Sequence, residues 1–249
     1  MRSPLAWEPS LFDVPAGPPR ADDAFAGVRR HDLGDGAWVE HRPGWLAGSA
    51  ALFDELVTTM AWRQPEVLMY GERVTQPRRS AWLRLDDLPA GDGLVLARTV
   101  LPRLAESLGR RYRRRFSTAG CNLYRDGADS VAWHGDRVHR DHVEAVIAIV
   151  SLGAARPFRL RPVAGGASRG FELGHGDLLV MGGTCQRTWQ HAVPKVSRPV
   201  GPRLSVTFRH GHDLTEERGL ATELPPPRSG SNLHHPGHTS RRGSGGSRS

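Results

Sequence analysis

Two stretches of the chain repeat their apolar positions with helical spacing. Leu52, Phe53, Leu56, Val57 and Met60 fall on one face, behind a capping Ser49 and with Asp54 and Glu55 read as first-turn acids. Val100, Leu104 and Leu108 recur every four residues. Thr99 stands where a cap would stand, Pro102 is read in the first turn, and Gly109 is read as the stop. From Ala119 onward the pattern changes to short runs separated by Gly, Asp and Pro. It predicts eight strands, at 121–125, 130–136, 145–152, 157–161, 170–173, 178–182, 188–193 and 203–209. Eight short strands with no helical pattern between them imply a β-sandwich or jelly roll, with the two helices flanking it. The expected fold class is therefore mainly β with flanking helices (α+β).

The ends read differently. The first 25 residues are proline-rich and weakly periodic, which suggests an arm or a loose wrap. Residues 211–249 lose apolar periodicity and end in Arg-Arg-Gly-Ser-Gly-Gly-Ser-Arg-Ser, the composition of a disordered tail. The expected layout is an arm over 1–25, one domain over 26–210 and a tail over 211–249.

Composition narrows the function classes. The 249 residues carry 34 basic and 26 acidic side chains, a net charge of +8, and Lys195 is the only lysine. The tail, with five arginines against four acids, holds only +1, so +7 belongs to the rest of the chain. Such a balance points to an anionic partner, nucleic acid first, or to a general bias towards arginine. The longest apolar runs are far too short to span a membrane. No signal peptide is read, and two cysteines, Cys121 and Cys185, form no disulfide framework. A reduced, cytoplasmic setting is expected.

The chemistry lies in His-x-acid triplets. Two histidines and one carboxylate on one face hold non-haem Fe(II) and leave open positions. Residues i and i+2 of a strand share a face, so His-x-Asp supplies two of the three. Four triplets fit: His134-Gly-Asp136, His139-Arg-Asp141, His142-Val-Glu144 and His175-Gly-Asp177. Context favours the first, which follows a strand bearing Asn122 and Tyr124 and a glycine turn. The next two sit in a charged cluster that reads as a loop, and His175-Gly-Asp177 reads as a turn before an apolar run. Near the end of the domain Arg203-Leu-Ser205-Val-Thr207-Phe-Arg209 alternates strictly, with two arginines and two hydroxyls on one face. That face either lines a cleft for a carboxylate, which arginine grips with a bidentate fork, or belongs to a wet edge strand.

Together these stretches resemble the AlkB-like family of Fe(II)/2-oxoglutarate-dependent dioxygenases over about residues 65–209. The motifs are Asn122-x-Tyr124-x-Asp-Gly-x-Asp, Trp133-His134-x-Asp136, Ser151-Leu-Gly153, Gly174-His175-Gly176-Asp177, Trp189-Gln-His191-x-Val-Pro194 and Gly201-Pro-Arg203-x₅-Arg209. The resemblance implies a double-stranded β-helix (jelly-roll) core over about 119–210 and a nucleotide-recognition lid over about 65–85. It implies Fe(II) on His134, Asp136 and His191, and 2-oxoglutarate held by Arg203 and Arg209 with Asn122, Tyr124 and Ser205, this serine standing where the family often has asparagine. With O2 as co-substrate, the activity implied is oxidative demethylation of N-alkylated bases in DNA or RNA, with formaldehyde released. Tyr70, Trp82 and Trp133 are candidate base-stacking surfaces. Arg78, Arg79 and the five arginines among residues 110–115 are candidate phosphate contacts. One departure matters: Arg137-Val138 follows Asp136 where repair members place acidic residues. Two other readings therefore stand beside this one: an oxygenase acting on a protein or small molecule, and a non-catalytic nucleic-acid-binding module.

Overall fold

The computed structural model describes residues 17–69, 72–88, 93–136 and 144–210. In chain order the elements begin β1 (Arg20–Ala21), β2 (Arg29–Gly34), β3 (Ala37–Arg42), β4 (Leu46–Ala47), α1 (Ala50–Thr59), β5 (Glu66–Met69), β6 (Glu72–Thr75), β7 (Arg79–Arg84) and α2 (Val95–Tyr112). They continue with β8 (Phe116–Tyr124), β9 (Val131–His134), β10 (Ile147–Gly153), β11 (Arg156–Pro162), β12 (Arg169–Leu173), β13 (Asp177–Gly183), α3 (Cys185–Thr188), β14 (Trp189–Val193) and β15 (Arg203–His210). A seven-stranded sheet in the order β2-β3-β13-β10-β15-β8-β7 faces a four-stranded sheet in the order β12-β11-β14-β9, and every pairing is antiparallel. This is the jelly roll that the strand pattern predicts.

Strand alternation divides the large sheet between two cores. Ala148, Val150 and Leu152 of β10 join Leu204, Val206 and Phe208 of β15 against Leu52, Phe53, Leu101 and Leu104 of the two helices. The opposite face of β10 sends Ile147 and Ile149 inward to Phe158, Leu160 and Trp189 of the small sheet. A strand covered on both faces has no polar side, which is why β10 reads as an unbroken apolar run. Each fully buried leucine or phenylalanine here contributes roughly 1.5–3 kcal/mol. The inner face of β15 is the exception, because Arg203, Ser205 and Thr207 bring a guanidinium and two hydroxyls into a buried position there. β15 lies between β10 and β8, so the edge-strand reading of its polar face does not hold.

The helices depart from expectation at their ends. α1 begins at Ala50, which places Asp54 and Glu55 beyond its first turn, and Ser49 makes no side-chain cap. Instead Glu55 accepts hydrogen bonds from the backbone N–H groups of Leu96 (2.8 Å) and Ala97 (2.7 Å). It thereby caps α2, which starts at Val95 and not after Thr99. Gly109 does not stop α2. The helix runs to Tyr112 and closes on Arg113 in the left-handed region (φ 54°).

The N-terminal part also differs. β1 pairs with β4, and Phe25 is buried in the helix-side core, so part of the expected arm is built into the fold. Only β5 and β6 of the expected lid form a separate hairpin. β7 pairs with β8 as the edge of the large sheet. A short helix, α3, interrupts the predicted run of strands. Residues 1–16, the tail 211–249, Tyr70 and the cluster His139–His142 lie outside the described residues.

Candidate metal and cosubstrate site

His134 ends β9, and His191 stands directly opposite it in β14. The antiparallel register brings their rings to 4.3 Å between centroids, and Asp136 follows two residues after His134. One donor atom from each of His134, Asp136 and His191 lies within 4.8 Å of the others. The His134 Nδ1–H donates to the Ala132 carbonyl (2.8 Å), which leaves the Nε2 lone pair available to a metal. His191 stacks on Phe158 with 5.4 Å between centroids. Burial pushes the His191 imidazole down to about 3, with Asp136 opposing and His134 and Arg209 reinforcing, so it is neutral at pH 7. Burial alone would raise the Asp136 carboxyl. Arg209, His191 and His134 together outweigh it and hold the group well below the usual carboxylate range.

Two supports fix Asp136. Its backbone N–H donates to Gln186 Oε1 of α3 (2.9 Å), and its Oδ1 accepts from Arg209 Nη2 (2.8 Å). Oδ2 stays on the side of His191 Nε2, 3.7 Å away. Arg209 also lies 4.8 Å over the Trp82 ring. Gly120, between them in β8, makes this possible: a Cβ there would stand 2.6 Å from Arg209 Nη1 and 3.0 Å from Trp82. Two imidazoles and one carboxylate are the donor set of a facial non-haem iron site. These residues fit Fe(II).

Beside the donors lies a buried cationic pocket. In the β15–β8 register Arg203 faces Tyr124 and Ser205 faces Asn122, and Ser205 faces Ser151 of β10 on its other side. Arg203 is 1% exposed; its Nε donates to Ser151 Oγ (2.9 Å), and its guanidinium lies 5.2 Å from the Tyr124 ring centroid. Burial pulls its pKa down, with Tyr124 opposing. Nη1 of Arg203 and Nη1 of Arg209 are both buried without a partner. A buried guanidinium with an unused N–H is costly unless an anion meets it. Two such groups on one strand suit a small dicarboxylate such as 2-oxoglutarate. Asn122 Oδ1 accepts from Ser80 Oγ (2.9 Å) and Arg78 Nε (3.1 Å). Arg78 thus contributes its Nε to this pocket wall, and Arg79 sits in β7 opposite Leu123. Trp133 is half-buried under Arg161, 4.4 Å from its ring centroid.

The strand pattern gave no sign of Gln186, Gly120 or Arg156. Arg156 is fully buried and donates to three carbonyls: Asp126 (2.7 Å), Asp129 (2.7 Å) and Pro194 (2.8 Å). It fastens the turn between β8 and β9 to the segment after β14, on whose strands Tyr124 and His191 lie. The turn reading of His175-Gly-Asp177 fits the geometry. Gly176 has φ +79°, Asp177 accepts the N–H groups of Gly44 and Gly174 (both 2.8 Å), and His175 joins Ser49 Oγ (2.7 Å) to the Gly153 N–H (2.9 Å).

Fold and donor set define a class, and the sequence comparisons agree with it. The sequence profile of the 2OG-Fe(II) oxygenase superfamily matches residues 43–209, and the chain belongs to that family. Among its relatives it is similar to the human alpha-ketoglutarate-dependent dioxygenase alkB homolog 3, 31% identical over 186 residues, which cover 67% of this chain and 64% of that protein. It is also similar to the DNA oxidative demethylase ALKBH2 of Arabidopsis thaliana, 29% identical over 215 residues, 72% of this chain and 68% of that one. The chain therefore spans a little under two thirds of the human relative's length. A solved structure of OsALKBH1 superposes with a TM-score of 0.46 at 16% identity, covering 73% of this chain and all of that one. Among the described residues no helix is long and apolar enough to cross a membrane.

Proposed function

We propose that this protein is an Fe(II)/2-oxoglutarate-dependent dioxygenase that oxidatively demethylates N-alkylated bases in DNA or RNA. The observation that carries the reading is the cluster of His134, Asp136 and His191 beside buried Arg203, whose Nη1 has no partner. Names of two relatives, one of them called a DNA oxidative demethylase, support the substrate class. His134, Asp136 and His191 would hold the iron. Arg203, with Ser151, Ser205 and Tyr124 around it, would take a carboxylate of 2-oxoglutarate, and Asn122 and Arg78 would close the wall of that pocket. Bound together, iron and cosubstrate supply the O2-dependent hydroxylation of an N-methyl carbon, whose product releases formaldehyde.

The protein's own part is positional. Arg209 keeps Asp136 ionised and turned towards the histidines, Gln186 fixes its backbone, and the jelly-roll interior excludes water. A base inside a duplex cannot reach such a pocket, so it must be flipped out or single-stranded already. Tyr70, Trp82 and Trp133 are assigned to stacking on it, and Arg79 to the phosphate side.

The test is incubation with Fe(II), 2-oxoglutarate and oligonucleotides carrying 1-methyladenine or 3-methylcytosine, read by base mass and formaldehyde. Turnover is expected, and it should vanish in His134→Ala and Asp136→Ala. Repair that persists in His134→Ala would falsify the ligand assignment. Cosubstrate consumption without repair would transfer the proposal to a protein or small-molecule substrate.

A further inference from the structure

The arginine run at the end of α2 divides into engaged and free members. Arg110 pairs with Glu106 (2.7 Å) and Asp23 (3.7 Å), Arg111 with Glu40 (3.4 Å), and Arg115 with Asp86 (3.1 Å). Arg113 and Arg114 have no acidic partner among the described residues. Arg113 closes the helix in the left-handed region, and Arg114 Nη1 donates to the Arg113 carbonyl (3.2 Å). Both line an open cleft of about 400 Å³, together with Arg30, Trp38, Glu40 and Arg111.

The cleft floor is held in place. Glu40 is buried and accepts from Tyr112 Oη (2.7 Å), while Arg111 and Arg30 (3.5 Å) close on the same carboxylate. Arg30 also covers the Trp38 ring at 3.9 Å, and Trp38 stacks on Tyr112. The aromatic faces are thus already occupied, which removes base stacking as the cleft's use and leaves its charge. Four arginines stand against two glutamates, Glu40 and Glu144, and Glu40 is fully engaged. The free cations, Arg113 and Arg114, are mutually adjacent and exposed.

Its position relates it to the metal site. Gly183 forms part of the cleft wall, and Gln186, which fixes the Asp136 backbone, is three residues further on. Three residues span at most about 11 Å. Gly183 ends β13 and Val146, also in the wall, immediately precedes β10, while Arg209, which holds Asp136, lies near the end of β15 on the other side of β10. The cleft therefore lies at the same end of the large sheet as Arg209 and its partner Asp136, on the helix-side face, where Trp38 and Val146 pack, whereas Val39 and Ile147 face the small sheet and the donors. An open, cationic, non-stacking cleft at that sheet end suits a phosphodiester of a chain passing over it better than an enclosed small molecule.

We propose that this cleft binds the backbone phosphates of a single-stranded nucleic acid flanking the nucleotide presented to the metal site. The inference rests on the nucleic-acid substrate proposed above, and its test separates the two. Anisotropy of unmodified labelled 16-mers, one DNA and one RNA, is measured against salt for the wild type, Arg113→Gln/Arg114→Gln and Arg113→Glu/Arg114→Glu. A control, Arg98→Gln/Arg103→Gln, removes two exposed charges from the same helix outside the cleft. Thermal melting verifies that each variant is folded. Affinity should fall at least about five-fold in the glutamine pair and further in the glutamate pair. The slope of log K against log salt should lose about 1.4, from about 0.7 for each phosphate contact on a single strand. The control should stay within about two-fold. Binding by the wild type that is unchanged in both cleft variants, or lowered equally by the control, overturns the cleft alone. A wild type that binds neither strand overturns the nucleic-acid substrate, and the cleft with it.

Discussion

Arg203→Met is the most telling perturbation of the pocket. In the ligand-free protein Arg203 is a buried cation held by Ser151 Oγ and the Tyr124 ring, with Nη1 unsatisfied. A buried donor without a partner costs about 1–3 kcal/mol. Replacing a buried charge by an apolar side chain of similar length is often neutral or stabilising by about 1–4 kcal/mol where pairs have been compared. The ligand-free variant should therefore melt at or above the wild-type temperature. Cosubstrate binding should move the other way. Removing one partner of a buried ion pair costs about 3–5 kcal/mol, which at about 1.4 kcal/mol per decade is a roughly 100- to 4,000-fold loss of affinity. Calorimetric titration with 2-oxoglutarate under nitrogen measures that loss directly. Differential scanning fluorimetry reads it again, because the wild type at about 100 Kd of ligand gains about 2.7 kcal/mol and the variant at the same concentration should gain at most about 0.4. Near wild-type affinity in Arg203→Met would refute the carboxylate role. A ligand-free variant melting far below wild type would show that Arg203 is a structural tie between β10 and β15 instead.

Three further outcomes follow from the geometry. Glu55→Ala removes the cap on α2 and should lower unfolding stability by about 1–2 kcal/mol, read as a lower urea midpoint at unchanged slope, with Glu55→Gln recovering part of it. Burial pushes the thiols of Cys121 and Cys185 up to about 12, so at pH 8 only about one in ten thousand is ionised; maleimide should label neither until denaturant is added, and rapid native labelling would contradict their burial. Gly120→Ala should displace Arg209 from Asp136 and weaken Mn(II) binding, used as a redox-silent probe, by about 10- to 100-fold. With its main cationic neighbour moved, the Asp136 carboxyl pKa rises, so metal binding should be lost on acidification at a higher pH than in the wild type.

What the chain made legible, and what it hid, divides along local against distant causes. The strands after Ala119 announce themselves because period-2 alternation and Gly or Asp turns are local signals. The alternation of Arg203, Ser205, Thr207 and Arg209 is equally local, as is the two-residue spacing of His134 and Asp136. The start of α2 was not legible, because its cap arrives from Glu55, about forty residues earlier in the chain. The β2–β3 hairpin falls outside the strand pattern although its turn, Asp35-Gly36, carries positive φ at both residues and is a strong hairpin dipeptide. The cause was β2 itself: an edge strand, Arg-Arg-His-Asp-Leu-Gly, needs few apolar residues. Gln186, Gly120 and Arg156 act through partners dozens of residues away, and no spacing rule marks them.

β9 carries His134 yet is four residues long and lies at the border of the small sheet, paired only with β14 among the described residues. A metal bridging His134 and His191 would cross-link that border strand to its neighbour. Metal occupancy then becomes a matter of local stability as well as catalysis. Stripped of metal, the strand loses that cross-link and should fray more readily. Amide protons of Val131–His134 should exchange faster after chelation, and unchanged exchange would show that the metal does not brace this strand.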